Sequence, residues 1–339
     1  MSLAPAVSLT LGQQLYTSQA VGVSVSLALL PAVNSFRVTL PAATQVDAGP
    51  GDPATLALDG GEGQETVLTG KLRMLRLTFS TTEITGADGG ADLAAARPAA
   101  TYQRQAARDV IRALASDAGV DAADIDLDLA MAAYVADQAS TSGEHIADLS
   151  RLAGATARMN ADGQLVVGGP PSGPPDLALL YGREIVDYRM RQNEQPRARR
   201  IAIGNGPAGA ADAPDALQPS KATLPSDAPD PGVDTVWRPR TILRTARTTN
   251  AASSAYADAA AAGTKTLRCR CFLLPKLQPG MVIEVQNLPD RLAGGPWHIT
   301  RVSHRISAGA AGSTTFDAND TAAGGGGLLA TGLSALGLP

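Results

Sequence analysis

Three histidines are the first candidates for acid–base chemistry in this chain: His145, His298 and His304. His298 and His304 are six residues apart in a segment of alternating apolar residues. A straight strand of that length spans about 20 Å, so the two rings cannot share a metal ion or a proton relay. His145 follows Glu144, and no serine or cysteine nucleophile signature accompanies it. The sequence therefore predicts structural roles for the histidines.

Carboxylates are abundant in the middle of the chain. A glycosidase needs two of them flanking a sugar bond. Five aspartates form a cluster between a helix candidate and a strand candidate, where aspartates commonly cap helices and form turns. No aromatic residues typical of a substrate groove lie beside this cluster. The five residues are Asp117, Asp121, Asp124, Asp126 and Asp128. We expect turns and solvated faces here, and no catalytic pair.

The two cysteines, Cys269 and Cys271, are spaced so that a strand would place both on one face. Leu267 and Leu273 continue that apolar row, which predicts two buried thiols and a reducing compartment. A zinc site would need four ligands, and the histidines lack ligand spacing. The Gly-Asn-Gly of 204–206 lacks the lysine and helix of a phosphate-binding loop. No metal, cofactor or catalytic residue is predicted.

Composition limits the partners. The 339 residues carry a net charge of -4, and only 18% of them are charged. A nucleic-acid-binding domain usually has a basic excess, so we expect no sequence-specific nucleic acid binding. The N-terminus lacks a signal peptide pattern, and the apolar stretch 21–33 is too short and interrupted to span a bilayer, so we expect no membrane insertion.

Short alternating runs from 21 to 79 are typical of an antiparallel sheet or barrel. Strands are predicted at 35–40, 54–58, 66–72 and 74–79. The period then changes to that of a helix over 101–118, with Thr101 as its N-cap and Gly119 as its stop. The first part of the chain is therefore β, and a helical unit follows it.

A second helix is predicted from Thr141, which has capping-box spacing to Glu144. Asp162-Gly163 predicts a hairpin after it. Strands resume at Arg183. Val186, Tyr188 and Met190 alternate with charged residues there, so they form the expected buried face.

The last third mixes strands with less regular segments. Residues 204–234 contain few large apolar residues, which predicts a long or partly disordered loop. A turn-rich segment with Trp237-Arg238-Pro239 follows, then an alanine-rich stretch at 251–262 that fits a helix, and strands from 265 to 316. Pro279-Gly280 and Gly294-Gly295-Pro296 each introduce a strand.

Candidate interface residues lie in the second of these strands and in the C-terminal tail. Trp297 is predicted to be a core or interface anchor. A glycine linker at 324–327 precedes an apolar tail, which fits either a frayed terminus or a peptide that docks on a neighbour. The leucines of the tail are Leu328, Leu329, Leu333, Leu336 and Leu338.

The domain organisation that follows is mainly β with an α+β insertion: two antiparallel β-barrel domains plus a small helical and hairpin domain. The first barrel covers 1–95, the insertion 96–180 and the second barrel 181–320. Residues 321–339 are the glycine-rich linker and apolar tail.

Four segments in this order resemble the late control protein D family of tailed phages and the related hub portion of type VI secretion spike proteins. They are the Thr-Gly strand pair of 67–72, the helix of 102–119, the unit 134–163 from Tyr134 to Asp-Gly, and the closing segment 277–304. The resemblance covers residues 20 to 320 and implies that the two β-barrel domains are tail-tube-like.

The resemblance implies a baseplate hub of a contractile tail. The family forms a homotrimer whose six barrels meet a hexameric tail tube protein on one side, while the ring joins the trimeric central spike protein on the other. It leaves room for contacts with tape measure and baseplate wedge proteins. The implied place is the virion tail baseplate, assembled in the bacterial host cytoplasm, and the implied role is structural, without enzymatic activity.

Two features depart from the family pattern: the loop 204–234 and the C-terminal tail. No β-helical repeat follows residue 320, so the spike is expected to be a separate chain. Two alternatives stay open, a cell-wall hydrolase carried at the tail tip and a distal tail tube protein that assembles as a hexamer.

Overall fold

The computed structural model describes residues 5–17, 20–169, 173–194, 199–204, 235–289, 295–307 and 311–321. The predictions for the loop 204–234, apart from Gly204, and for the glycine linker and leucine tail lie outside these residues. The described residues are mainly β, with twenty strands and four helices, which confirms the predicted fold class. None of the four helices is both long and apolar enough to cross a membrane.

The N-terminal strands are β1 (Ala6–Leu11), β2 (Gln14–Thr17), β3 (Gly22–Ala28), β4 (Ser35–Pro41), β5 (Pro53–Asp59), β6 (Gln64–Leu77) and β7 (Thr81–Ala87). The middle contains α1 (Gly90–Ala95), β8 (Ala100–Ala106), α2 (Ala107–Asp117), β9 (Ala122–Ile125), β10 (Ala130–Ala136), α3 (Ser142–Leu152), β11 (Thr156–Met159) and β12 (Leu165–Gly168). The last part contains β13 (Leu177–Leu180), β14 (Ile185–Gln192), β15 (Arg199–Gly204), β16 (Thr235–Arg240), α4 (Ala246–Ala262), β17 (Lys265–Phe272), β18 (Val282–Gln286), β19 (Gly295–Ser307) and β20 (Ser313–Asp320).

One sheet of 13 strands joins the two β regions in the order β14-β17-β20-β19-β3-β4-β7-β6-β5-β1-β2, with β18 and β13 branching from β19. All its pairs are antiparallel except β13 with β18. The junction is the pairing of β19 with β3, where His304 lies opposite Val25. The N-terminal half of β19 pairs with β18 and the C-terminal half with β3, because a bulge near Ile299 redirects the strand.

The first core lies beneath this sheet and takes its apolar side chains from both β regions. Alternation supplies them: in β4, Phe36, Val38 and Leu40 are all 1% exposed or less, and in β17 the row Leu267, Cys269 is buried likewise. Among the side chains that the structure describes, the largest fully buried one is that of Trp297.

A close approach of backbones explains the Thr-Gly in β6. A Cβ at Gly70 would lie 2.1 Å from the carbonyl oxygen of Ala87, far inside van der Waals contact. Only glycine therefore lets β6 and the end of β7 pack at this distance.

A second core lies around α2 and α3. It includes Val110, Ile111, Leu114, Leu149 and Leu152 at 0% exposure. It also contains four side chains from the later segment 199–262, namely Ala202, Leu243, Ala252 and Tyr256. Thus β15 and α4 contribute side chains to the core of the helical unit. The bounds predicted for the three domains stay a prediction.

The helix predicted over 101–118 is wrong in its first half. Residues Ala100–Ala106 form β8, which pairs with β10 and places Tyr102 opposite Tyr134. The helix begins only at Ala107, and Thr101 is not its cap. The four-residue spacing from Tyr102 to Val110 imitated a helical stripe, but the strand partner decides the conformation of the first seven residues.

The predicted second helix is confirmed with its cap. Glu144 N donates to Thr141 Oγ1 at 3.2 Å, and Thr141 N donates to Glu144 Oε2 at 2.7 Å, which is a complete capping box. The hairpin around Gly163 is also confirmed, with φ +81° at that glycine between β11 and β12. The alanine-rich stretch lies in α4.

Two strand predictions need correction. Val186 is 50% exposed, because a bulge between Ile185 and Asp187 shifts the register of β14 and places Ile185 on the buried face. The segment with Trp237, predicted to be turn-rich, is strand β16, which pairs in parallel with β15 in a separate two-stranded sheet.

Candidate subunit interface

The tip of the β6–β7 hairpin exposes large apolar side chains. Phe79 is 103% exposed, Leu77 71% and Met74 40%. Soluble monomers rarely place contiguous apolar residues of this size in water, and such patches mark sites of interaction. The sequence indicated strands here but gave no sign that the pair would extend beyond the core.

Hydrogen bonds hold the tip in one conformation. Thr78 N donates to Thr81 O at 2.9 Å, and Thr81 N donates to Thr78 Oγ1 at 3.0 Å. At the base, Arg73 Nη2 lies 2.9 Å and Lys71 Nζ 3.1 Å from the carboxylate of Asp92 in α1. Burial raises the pKa of Asp92, but the hydrogen bonds from Arg73 and Lys71 outweigh it and lower the pKa. The apolar tip is therefore presented on a clamped support.

One backbone edge of this hairpin is free of strand partners within the described residues. The pairing of β5 with β6 ends at Lys71, and Leu72 bonds to Asp52, while residues 73–77 pair only with β7 on their other side. The same is true of the two ends of the large sheet, β2 and β14. Leu15 on β2 is 62% exposed. Unpaired edges are covered in assemblies by neighbouring subunits.

The structure gives His145 a structural role. Its Nδ1 lies 2.7 Å from Tyr134 Oη, and its Nε2 lies 3.0 Å from the carbonyl oxygen of Asp137. The ring is 7% exposed and contacts Tyr134 edge-to-face. Both nitrogens are occupied in linking α3 to β10.

The other two histidines lie on β19. His304 is fully buried, with Nδ1 2.9 Å from Thr314 Oγ1, and burial lowers its pKa to about 4. Burial, helped by the positive charge of Arg158, also lowers the pKa of His298. A neutral imidazole closed off from solvent cannot exchange protons with a substrate, so His304 acts as a core residue.

The two cysteines are buried, whereas the aspartate cluster is exposed. Cys269 and Cys271 are free and buried, and burial raises the pKa of both thiols, that of Cys271 to about 12. The five aspartates are exposed, and those at 124–128 alternate with the buried Ile125 and Leu127. Among the residues that the structure describes, no group of three or more histidine, cysteine or acidic side chains could hold a metal ion.

Trp297 lies inside the chain. Its side chain is 1% exposed, and Lys265 Nζ lies 5.4 Å from the ring centroid. Trp297 is predicted to be a core or interface anchor, and within the single chain its burial is that of a core anchor. The five tail leucines lie outside the described residues, so their part in an interface stays a prediction.

A buried carboxyl lies where the large sheet meets the helical unit. Asp88, between β7 and α1, is 1% exposed. Its Oδ2 accepts from Asn34 Nδ2 at 2.7 Å and its Oδ1 from Gly90 N at 2.9 Å. Burial outweighs these bonds and raises the pKa of Asp88 from 3.8 to about 6.

This shift predicts a pH dependence of stability. Between about pH 4 and pH 6 Asp88 keeps a proton in the folded protein that it has released in the unfolded chain, so its contribution to the free energy of unfolding falls as pH rises. A shift from 3.8 to about 6 corresponds to about 3 kcal/mol at 1.36 kcal/mol per unit. Urea unfolding of the wild type and of Asp88→Asn checks this. The free energy of unfolding of the wild type minus that of the variant should fall by about 3 kcal/mol between about pH 4 and pH 6. A difference that stays constant over this range contradicts the raised pKa of Asp88.

No protein-family model and no curated protein sequence matches the chain. Among solved structures the fold is similar to the tail protein from Neisseria meningitidis MC58, with a TM-score of 0.71 and 15% identity over 93% of this chain and 96% of that one. A 43 kDa tail protein of prophage MuSo2 from Shewanella oneidensis gives a TM-score of 0.69 and 12% identity, covering 94% of this chain and 99% of that one.

A third similar structure is an E. coli component of the type VI secretion system, described as structurally similar to the T4 bacteriophage tail proteins gp27 and gp5. Its TM-score is 0.63 with 12% identity, over 91% of this chain and 76% of that one. These identities establish the fold alone. The chain has the fold found in phage tail proteins and in a type VI secretion component.

Proposed function

We propose that this chain is a structural, non-enzymatic hub of a contractile phage tail or related injection system. Three copies form a ring that joins the hexameric tail tube to the trimeric spike. The observation that carries the proposal is the similarity of fold to two tail proteins over nearly the whole length of both compared chains. For the Neisseria meningitidis protein it covers 93% of this chain and 96% of that one. A fold shared end to end supports a shared type of assembly better than a shared domain would.

The free apolar hairpin tip supports assembly of several copies. Phe79 and Leu77 are held out on a hydrogen-bonded turn, and the neighbouring backbone edge has no partner in the described part of the chain. A second copy of this chain is the occupant we propose for the tip, because a ring repeats the same contact around its axis and closes it.

The two β regions support the match between three-fold and six-fold symmetry. The strands β3 to β7 lie on one side of the β3–β19 junction and β14, β17, β18 and β20 on the other. Three copies thus offer six such regions to a six-fold tube. The tail tube protein and the spike are the partners, with tape measure and wedge proteins as further neighbours, and the virion tail baseplate is the location.

A peptidoglycan zymogram separates this proposal from the tail-tip hydrolase. The hub predicts no clearing at any pH between about 4 and 8, the range over which carboxyl and imidazole groups titrate. Electron micrographs of the purified protein should at the same time show three-fold rings. Clearing by a protein without rings would overturn the proposal.

A further inference from the structure

A cavity of about 350 Å³ lies where the two cores meet. Its walls come from the loop 29–31, the end of α3, one face of α4, and the strands β19 and β20. The interior is mostly small and apolar, including Ala147, Ala155, Ala157 and Leu30, while Arg151 and Asp258 belong to its polar lining. Concave apolar sites of this size with a few polar groups are typical of ligand sites.

The wall formed by α4 consists of alanines. Ala255, Ala259 and Ala262 follow the three- and four-residue spacing of one helix face, and all three line the cavity. Ala259 is exposed although it faces a concave apolar surface. The face therefore has room for larger side chains supplied by another segment.

The described chain ends in the wall of the same cavity. Asn319, Asp320 and Thr321 all line it. Thr321 Oγ1 donates to the carbonyl oxygen of Pro296 at 3.0 Å, and Lys265 Nζ lies 3.9 Å from Asp320 Oδ2. These contacts fix Thr321, the last residue that the structure describes, against the sheet.

His298 is one of the residues that line the cavity, and its ring has a buried nitrogen. His298 Nε2 is buried and makes no hydrogen bond within the described residues. Buried polar groups are normally paired, and a peptide backbone offers both a donor and an acceptor.

We propose that the C-terminal tail of the same chain, 328–339, docks on this cavity and inserts leucine side chains against the alanine face of α4. The tail contains five leucines and no charged residue. The segment from Thr321 to Leu328 includes four consecutive glycines and has a typical span of about 15 Å, enough to return to its own starting point. Because the tail is tethered at the cavity, its effective concentration there exceeds that of any free segment.

Disulfide trapping in the full-length protein tests the inference. Ser334→Cys or Ala330→Cys is combined with Ala259→Cys, which leaves every leucine in place. Ala257→Cys, exposed on α4 and two residues away on another face, is the matched control. The native cysteines are 0% and 1% exposed and do not compete. We expect mild oxidation to form an intrachain disulfide at least tenfold faster with Ala259→Cys than with Ala257→Cys.

Equal rates for both positions, or no intrachain disulfide with either tail cysteine, would overturn the proposal. A disulfide-linked dimer on a non-reducing gel would overturn it too, because the tail would then occupy a neighbour's cavity. A second measurement uses 1-anilinonaphthalene-8-sulfonate with the variant Leu333→Asp, Leu336→Asp. We expect severalfold higher dye fluorescence with this variant than with the wild type. Adding Ala259→Trp, which fills the cavity, should abolish the increase. Unchanged fluorescence would contradict the proposal that the tail covers the cavity.

Discussion

Replacing Leu77 and Phe79 with serine is expected to convert the proposed ring into folded monomers. Phe79 is fully exposed in the single chain and Leu77 is 71% exposed, so their loss removes little intrachain packing. In an assembly they are the anchors, and buried aromatic or aliphatic anchors each contribute about 2 kcal/mol or more. Two such losses weaken association by about 1,000-fold.

Sedimentation velocity of Leu77→Ser, Phe79→Ser beside the wild type provides the measurement. Val135→Thr is the matched control, because Val135 is 59% exposed on β10, away from the hairpin. We expect the control to assemble like the wild type and circular dichroism to be unchanged in both variants. Unaltered assembly of the serine variant would show that the tip contacts no other copy.

Replacing Trp297 with alanine is expected to destabilise the fold by about 3–5 kcal/mol, the usual cost of removing a large buried aromatic. The indole is 1% exposed and contacts the ammonium group of Lys265. Trp297 lies opposite Ile283 of the neighbouring strand β18. Its loss leaves a cavity in the core that both β regions share. Urea unfolding gives the free energy directly.

Two further variants make the Trp297 result specific. Trp297→Phe keeps much of the apolar volume and should lose less stability than Trp297→Ala. Phe272→Ala removes an aromatic that is 47% exposed and should change stability little. If Trp297→Ala kept full stability but no longer assembled with other copies, the indole would belong to an interface and not to the core.

The sequence predicted those elements whose local chemistry decides their structure. The capping box of Thr141 with Glu144 is complete, and Asp162-Gly163 turns a hairpin, because each uses bonds or backbone angles within a few residues. The row Leu267, Cys269, Cys271 is buried since strand alternation needs only a neighbouring sheet.

Errors arose where a distant partner decides the outcome. Tyr102 lies in a strand because β10 pairs with it, and Val186 is exposed because a bulge against β17 shifts the register. The packing of Ala202 and Tyr256 with α3 in the second core depends on contacts across long stretches of sequence. Periodicity contains none of this information.

The candidate site could not be predicted from the sequence for a related reason. Leu77 and Phe79 have the alternation of a core strand, and only the point where β5 stops pairing reveals that they extend past the core. The residue type of Trp297 predicts a core or interface anchor, but its burial in the shared core follows from the pairing of β19 with β18 and β20.

Native mass spectrometry of the wild-type chain tests the central claim most directly. The hub account predicts a dominant species of three times the 34.5 kDa of one chain, stable at micromolar concentration. A dominant hexamer would instead support a tail tube protein. A monomer as the dominant species would contradict the account, because the hairpin tip and the sheet edges would then have no neighbour to cover them.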